Sequence, residues 1–390
     1  MSTPPLFTPN YPSADGSPLL STPDRLGASP HYSGQGVVIA FIDSGFYPHP
    51  DLDDRILCHA DATSSRVEEH FSPPGDYSWH GQMCSVIAAG DGCLSSGMYR
   101  GIASGAELVL IKVSDARERI KEADILRGLR WLIQNHRRFK VRLLNMAVGG
   151  DRPSRDPGNP MLAAIRQLVD EGVMVFAAAG NSGSDRLVPP ASSREVITVG
   201  GIDDQNSRDA SLWLPYPNNW GTAYDGTAKP DVTAPARWIA SPILPGSSVD
   251  REARWLAPLL QVPSYATVDA MLYEAHLDLS LSREAAIHPN AHVYKQLQER
   301  IHAHKLIHRH YQHVDGTSVA VSIATSVAAQ MLEANPGLTP QNIKAILTAT
   351  AKRLSGVPAE RQGYGVIDAA LAVSTAAIAA TMLPKGDTQA

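Results

Sequence analysis

Cysteine is scarce in this 390-residue chain: Cys58, Cys84 and Cys93 are the only three, and no two form a CxxC pair. An odd, scattered set argues against a disulfide framework and fits a reducing interior. No apolar run approaches the roughly 20 residues needed to span a bilayer. The opening residues, MSTPPLFTPNYPSADGSPLL, lack the basic and apolar regions of a secretory signal. Neither sign of charge dominates: the formal net charge is -5, which gives no reason to expect nucleic acid or an acidic membrane as partner. A soluble cytoplasmic protein is expected. With 43% hydrophobic and 19% charged residues, the composition is that of a globular protein able to bury a large core. One large α/β domain with embellishments and two domains are both compatible with the length.

Residues 1–33, rich in Pro, Ser and Gly, read as an irregular N-terminal arm. Continuous apolar runs follow: GVVIAFI (36–42), ELVLIKV (107–113), VRLLNMAV (141–148), GVMVFAAA (172–179) and VITVGGI (196–202). Such runs are expected of strands buried on both faces. Helix-period segments lie between them, at roughly 79–90, 122–136 and 160–172, the last with Pro160 suited to a first turn. The alternation predicts a doubly wound, mostly parallel α/β sheet with helices on both faces. Sites in such folds lie at the carboxyl ends of strands. Asp43-Ser44-Gly45, Gly149-Gly150 and Gly180-Asn181 each follow an apolar run, so three turns are expected on one rim.

Helices are also expected at 318–334, at 340–352 behind the capping stretch LTPQN, and at 366–383. The α/β body would therefore comprise 34–246 and 314–383, with a tail at 384–390. Residues 247–313 read as an inserted helical subdomain of several amphipathic helices. Its last stretch sets Val293, Leu297, Ile301 and His304 on one stripe. Eight of the fourteen histidines lie in this insertion: His276, His288, His292, His302, His304, His308, His310 and His313. His304 and His308, spaced i,i+4, have a metal-ligand spacing. Without Glu or Cys at matching positions, a solvated helix face is the simpler reading, and no metal is expected there.

Ser318 ends the Gly-Thr-Ser turn that leads into the apolar segment VAVSIATSV, and Ser is a favoured helix N-cap, so capping alone accounts for it locally. A nucleophilic hydroxyl needs a base, and the base an orienting group. The Gly-x-Ser-x-Gly elbow order, with His after Ser, fails because the last histidine is His313. A His-Asp-Ser order lacks a nucleophile motif. The order Asp, His, Ser remains: Asp43 ends AFID, His80 opens HGQMCSVIAAG, and Ser318 lies in DGTSVA.

In this order and context the chain resembles the subtilisin-like serine proteases. The resemblance rests on GQGVVIAFIDSGFYPHPDL (35–52), HGQMCSVIAAG (80–90), RGIASGAEL (100–108), LLNMAVGG (143–150), FAAAGNSG (176–183), VPPASSREVITVGGID (188–203), KPDVTAPA (229–236), DGTSVA (315–320) and GYGVIDAALAV (363–373). It implies a serine endopeptidase acting through an acyl-enzyme, with Asp43, His80 and Ser318 as triad and Asn181 as oxyanion donor. It further implies that Ala147, Val148, Gly149 and Gly150 pair with an extended peptide substrate. Ala178, Ala179, Gly180, Pro190 and Ala191 would wall the pocket for the residue before the cleaved bond, with Val188 narrowing it. A catalytically weak fold used as a peptide-binding module, and acyl transfer to an amine, are the alternatives.

The chain departs from the family pattern in places. Gln82 replaces the Thr after His-Gly, and Ser322 stands at the usual proline. Asp51 matches a family calcium ligand, but one carboxylate cannot hold the ion. Calcium is compatible with the resemblance and not expected; no cofactor is. Cys84, one turn after His80, matches the thiol of the proteinase K-like branch and reads as a small buried hydrophobe. The insertion would act as a lid or docking subdomain for a regulatory partner, in an intracellular processing or regulated protease. The Pro-rich arm would either lie in the cleft as an inhibitory extension or form a disordered tail.

Overall fold

The computed structural model describes residues 6–13, 17–71, 73–154, 156–262 and 264–382. The expected tail, 384–390, lies outside the described residues, as do positions 1–5 and 14–16 of the arm.

The arm carries a short helix, α1 (Thr22–Leu26), capped by the Ser21 hydroxyl. The central sheet then begins with β1 (Val38–Asp43) and β2 (Ile56–Asp61), followed by α2 (Ser78–Ala89) and β3 (Glu107–Lys112). Next come α3 (Glu122–Phe139), β4 (Val141–Met146), α4 (Pro160–Asp170), β5 (Met174–Ala178) and β6 (Ile197–Asp203). A short β7 (Leu214–Pro215) precedes the two-residue ribbon strands β8 (Gly221–Thr222) and β9 (Ala228–Lys229); β10 (Val232–Pro235) completes the sheet. The strand order is β10-β6-β5-β4-β1-β3-β2, all parallel, with β7 antiparallel to β6.

Both faces of the sheet are covered, which is why its strands read as unbroken apolar runs. Along β1, Ile39 and Phe41 pack into the core shared with α2 and the helix that follows Gly316. Val38, Ala40 and Ile42 alternate into the opposite core beneath α3 and α4. That post-Gly316 helix, α9 (Thr317–Ala334), is buried nearly end to end between the sheet and α2. Helix α10 (Pro340–Thr350) starts with a capping box between Thr339 and Asn342. Then α11 (Ala359–Gln362) and α12 (Ala369–Met382) are the last described elements.

The insertion differs in part from the expected all-helical reading. Strand β11 (Ile239–Pro242) leads into α5 (Ser248–Leu259), α6 (Tyr265–Ala275), α7 (Arg283–Ile287) and α8 (Ala291–Ala303). These helices share a separate core of Leu256, Leu272, Val293, Leu297 and Ile301. The chain then turns at Lys305, whose φ of 52° ends the helix. Strands β12 (Leu306–His308) and β13 (Tyr311–Val314) follow, β13 pairing antiparallel with both β11 and β12. His304 therefore sits just past the end of α8 and His308 on a strand, so no helix face joins them.

The described residues of the arm make specific contacts with the rest of the chain. Phe7 enters the insertion core, and Thr8 exchanges hydrogen bonds with the Gln298 side chain. Leu19 packs with Tyr99, Ala240 and Tyr311, and Arg25 forms a buried ion pair with Asp204. These contacts tie the insertion to the α/β body.

Candidate active site

Asp43 is the last residue of β1 and is 1% exposed. Its Oδ1 accepts a bond from the Ser44 amide at 2.6 Å, and the Ser44 hydroxyl donates to the Tyr77 carbonyl at 2.6 Å. The turn after β1 is thus held against the start of α2. Gly81 makes the approach possible: a Cβ there would lie 2.1 Å from the Gly45 carbonyl oxygen. His80, in the first turn of α2, places Nδ1 2.6 Å from Asp43 Oδ1 and Nε2 3.0 Å from Ser318 Oγ. Ser318 is the second residue of α9, where the backbone amides of the first turn lack intrahelical partners.

Burial opposes a charged His80 ring, yet the Asp43 carboxylate outweighs it and holds the imidazolium well above its ordinary range. The Asp43 Oδ2 atom is buried without a hydrogen-bond partner among the described residues. Cys84 lies beneath the pair, its Sγ 4.0 Å from His80 Nδ1 and 3.8 Å from the Ser318 carbonyl oxygen. Burial, then the Asp43 charge, push this thiol up, so it stays protonated. Ser322, at the family's proline position, is buried and donates its hydroxyl to the Ser318 carbonyl at 3.0 Å.

Asn181 follows Gly180, which has φ 99° and leaves no room for a side chain: a Cβ would meet Asn219 Nδ2 at 2.6 Å. The Asn181 Oδ1 atom accepts from the Thr317 amide at 2.8 Å and from the Thr317 hydroxyl at 3.0 Å. The hydroxyl in turn accepts from the Gly180 amide at 3.1 Å. A Cβ on Gly316 would lie 3.6 Å from Asn181 Nδ2, so the amide nitrogen sits beside the turn that leads into Ser318. Thr317 drew no notice in the sequence; only its adjacency to Ser318 marked it.

Beyond β4, Ala147, Val148, Gly149 and Gly150 run half-buried beside the segment from Val188 to Ala191. The Gly150 amide donates to the Pro189 carbonyl at 2.7 Å. A Cβ on Gly149 would lie 2.9 Å from that same carbonyl oxygen and 3.2 Å from Val188 Cγ2. Ala179, Pro190 and Ala191 are buried, while Ala178 and Gly180 are half-buried. None of these positions carries a charge.

Among the described residues, two groups bring potential metal ligands together: Asp43, His80 and Cys84, and Asp51, Asp91 and Cys93. The first is engaged by the hydrogen bonds above. At the second, Asp51 Oδ1 accepts from the Cys93 thiol at 3.3 Å and the Leu94 amide at 3.2 Å, and Oδ2 accepts from the Tyr311 hydroxyl. Calcium requires six to eight oxygen acceptors. A thiol, a phenol and an amide, all donating protons to Asp51, do not fit it.

The stem of the insertion abuts α2. Gln82 is fully buried, and its Nε2 reaches the Ile243 carbonyl at 3.4 Å. Gln312 on β13, with its amide oriented by its neighbours, accepts from Trp79 Nε1 at 3.2 Å and donates to the His304 carbonyl at 3.1 Å. Trp79 stands edge-on to the His80 ring, the centroids 6.2 Å apart.

The chain is similar to several known proteases. The chain is 30% identical to serine protease AprX of Bacillus subtilis over 346 residues, covering 86% of this chain and 66% of AprX. It is 31% identical to subtilisin-like protease 2 of Pseudogymnoascus destructans over 212 residues, covering 54% of this chain and 46% of that protein. The chain thus spans just under two thirds of AprX and about half of the fungal protein. Among solved structures, a Pseudoalteromonas arctica protease superposes with TM-score 0.62 at 21% identity, covering 96% of this chain and all of that one. Fervidolysin from Fervidobacterium pennivorans, a keratinolytic enzyme related to subtilisin, superposes with TM-score 0.61 at 18% identity, over 94% of this chain and 47% of that one. These two likenesses show the fold. The profile described as the subtilase family, peptidase S8, matches residues 34–365, and the chain belongs to that family.

Proposed function

We propose that the protein is a serine endopeptidase that cleaves peptide bonds through an acyl-enzyme on Ser318. The observation that carries this reading is the continuous hydrogen-bond line Asp43–His80–Ser318, at 2.6 and 3.0 Å. Ser318 Oγ attacks the peptide carbonyl while His80 Nε2 accepts its proton, and Asp43 stabilises the imidazolium formed. The oxyanion is met by the Ser318 amide and Asn181 Nδ2. His80 then returns the proton to the leaving amine, and water, activated by the same ring, hydrolyses the ester.

An extended peptide would pair with 147–150 and set the side chain before the cleaved bond among Ala178, Ala179, Gly180, Pro190 and Ala191. That uncharged lining supports a preference for apolar side chains. All three cysteines are unpaired, which suits a reducing compartment. The insertion, seated through Gln82 and Trp79 against the helix of His80, supports regulated access rather than bulk degradation.

The test is cleavage of an unstructured protein in H₂¹⁸O, read by mass spectrometry. Endopeptidase action puts one ¹⁸O in each new carboxylate, in wild type and not in Ser318→Ala. Products joined to an added amine without ¹⁸O would show acyl transfer, and intact protein would favour a binding module.

A further inference from the structure

The peptide-pairing edge ends against an acidic side chain that neither the triad nor the apolar pocket uses. Glu122 is the first residue of α3, a place where the helix dipole by itself favours a carboxylate. Its position, however, is set against the far end of the edge. A Cβ on Gly150 would lie 3.1 Å from Glu122 Oε2 and 3.4 Å from its Cδ. The Asp151 amide points to the same oxygen at 3.5 Å. Glu122 is half-buried and takes part in no ion pair among the described residues. The neighbouring cations are engaged elsewhere: Arg119 and Lys121 with Asp115, and Arg127 with Asp124. Asp151 adds a second negative charge beside the same turn.

We propose that Glu122 is a specificity-determining residue that selects a lysine or arginine upstream of the cleaved bond, where the substrate strand passes Gly150. The inference rests on the endopeptidase reading, because it uses that reading's substrate strand. The residue before the bond sits by the apolar pocket, and an extended peptide advances about 3.3 Å per residue. Four edge residues, Ala147 to Gly150, then bring the third to fifth residues before the bond within reach of Glu122. Glycine at 149 and 150 leaves the route to the carboxylate unobstructed by side chains. The combined preference is a basic residue upstream and an apolar one at the bond.

Matched peptides with Lys or Gln at the third, fourth and fifth positions test this, using kcat/KM for wild type, Glu122→Gln and Glu122→Lys. Wild type should prefer Lys over Gln at one of these positions by about two- to fivefold, the range of a half-exposed ion pair, and less at high salt. The preference should vanish in Glu122→Gln and reverse in Glu122→Lys. Equal Lys/Gln ratios in wild type and Glu122→Gln would overturn the assignment. The same peptides are titrated onto Ser318→Ala by fluorescence anisotropy, which reads the Lys/Gln ratio as binding alone. If wild type cleaves no peptide yet Ser318→Ala shows the Glu122-dependent ratio, the endopeptidase reading fails and the assignment of Glu122 stands. Binding without that ratio overturns the assignment whatever the cleavage result.

Discussion

Replacing Thr317 by valine isolates the part of the site that positions Asn181. Thr317 is 1% exposed, and valine fills nearly the same volume, so the change is chemical rather than steric. It removes the hydroxyl that donates to Asn181 Oδ1 at 3.0 Å and leaves the backbone donor at 2.8 Å. One neutral hydrogen bond contributes about 1 kcal/mol, or roughly fivefold in rate if it acts only on the transition state. Loss of the whole Asn181 donor costs more, about 10²–10³ in kcat. Steady-state assays on one peptide should therefore show Thr317→Val lowering kcat about fivefold with KM unchanged, and Asn181→Ala lowering it about a hundredfold or more. In the Asn181→Ala background Thr317→Val should add nothing, since the group it positions is gone. Thr317→Ser keeps the hydroxyl and should keep the rate. The Gly180 amide also loses its acceptor at 3.1 Å, so Thr317→Val should lower stability by about 1–3 kcal/mol. A fivefold loss that persists in the Asn181→Ala background, or one that appears in KM, would refute the positioning role.

The raised His80 pKa predicts that kcat/KM falls as pH drops through a value above 6.5, because a protonated ring cannot accept the Ser318 proton; an inflection at or below that value would contradict it. The same shift stabilises the fold below pH 6.5, and this contribution is lost as pH rises through the folded-state pKa. Tyr311→Phe strips Asp51 Oδ2 of its buried phenol donor and should cost about 1–3 kcal/mol in denaturant unfolding; an unchanged midpoint would show that this link carries no stability. A thiol-directed mercurial should inhibit wild type by crowding His80, 4.0 Å from Cys84 Sγ, and should spare Cys84→Ala. Full activity with Cys84 shown by mass spectrometry to be modified would place the thiol elsewhere.

Much of the fold was legible because a sheet buried on both faces writes itself as apolar runs: VIAFID and ITVGGID are buried at every residue. Chain order narrowed the roles at the rim to Asp, then His, then Ser, and the resemblance of their motifs to the subtilisin-like family singled out Asp43, His80 and Ser318. The hairpin at 306–314 was not. HAHKLIHRHYQHV keeps a helical rhythm of apolar and polar residues, and nothing in its composition announces that Lys305 takes a left-handed backbone. Its strand pairing depends on Ile239 and Ala240, more than seventy residues upstream in sequence. The irregular course of the arm was legible from its Pro and Ser content, and only the short helix α1 interrupts it among the described residues. Its anchors Phe7, Leu19 and Arg25 were not, because they are single residues whose partners lie far away in sequence. Thr317 and Glu122 were silent because each acts through a contact with a loop that only the folded chain brings near.

The central claim is that Ser318 is a nucleophile activated by His80 rather than a buried helix-start hydroxyl. A fluorophosphonate probe reacts with such a serine and not with an ordinary one. Incubation followed by tryptic mass spectrometry should place one adduct on Ser318 in wild type, slowed by orders of magnitude in His80→Ala and absent in Ser318→Ala. A folded wild-type protein that takes up no label at Ser318, or labels equally fast without His80, would contradict the account.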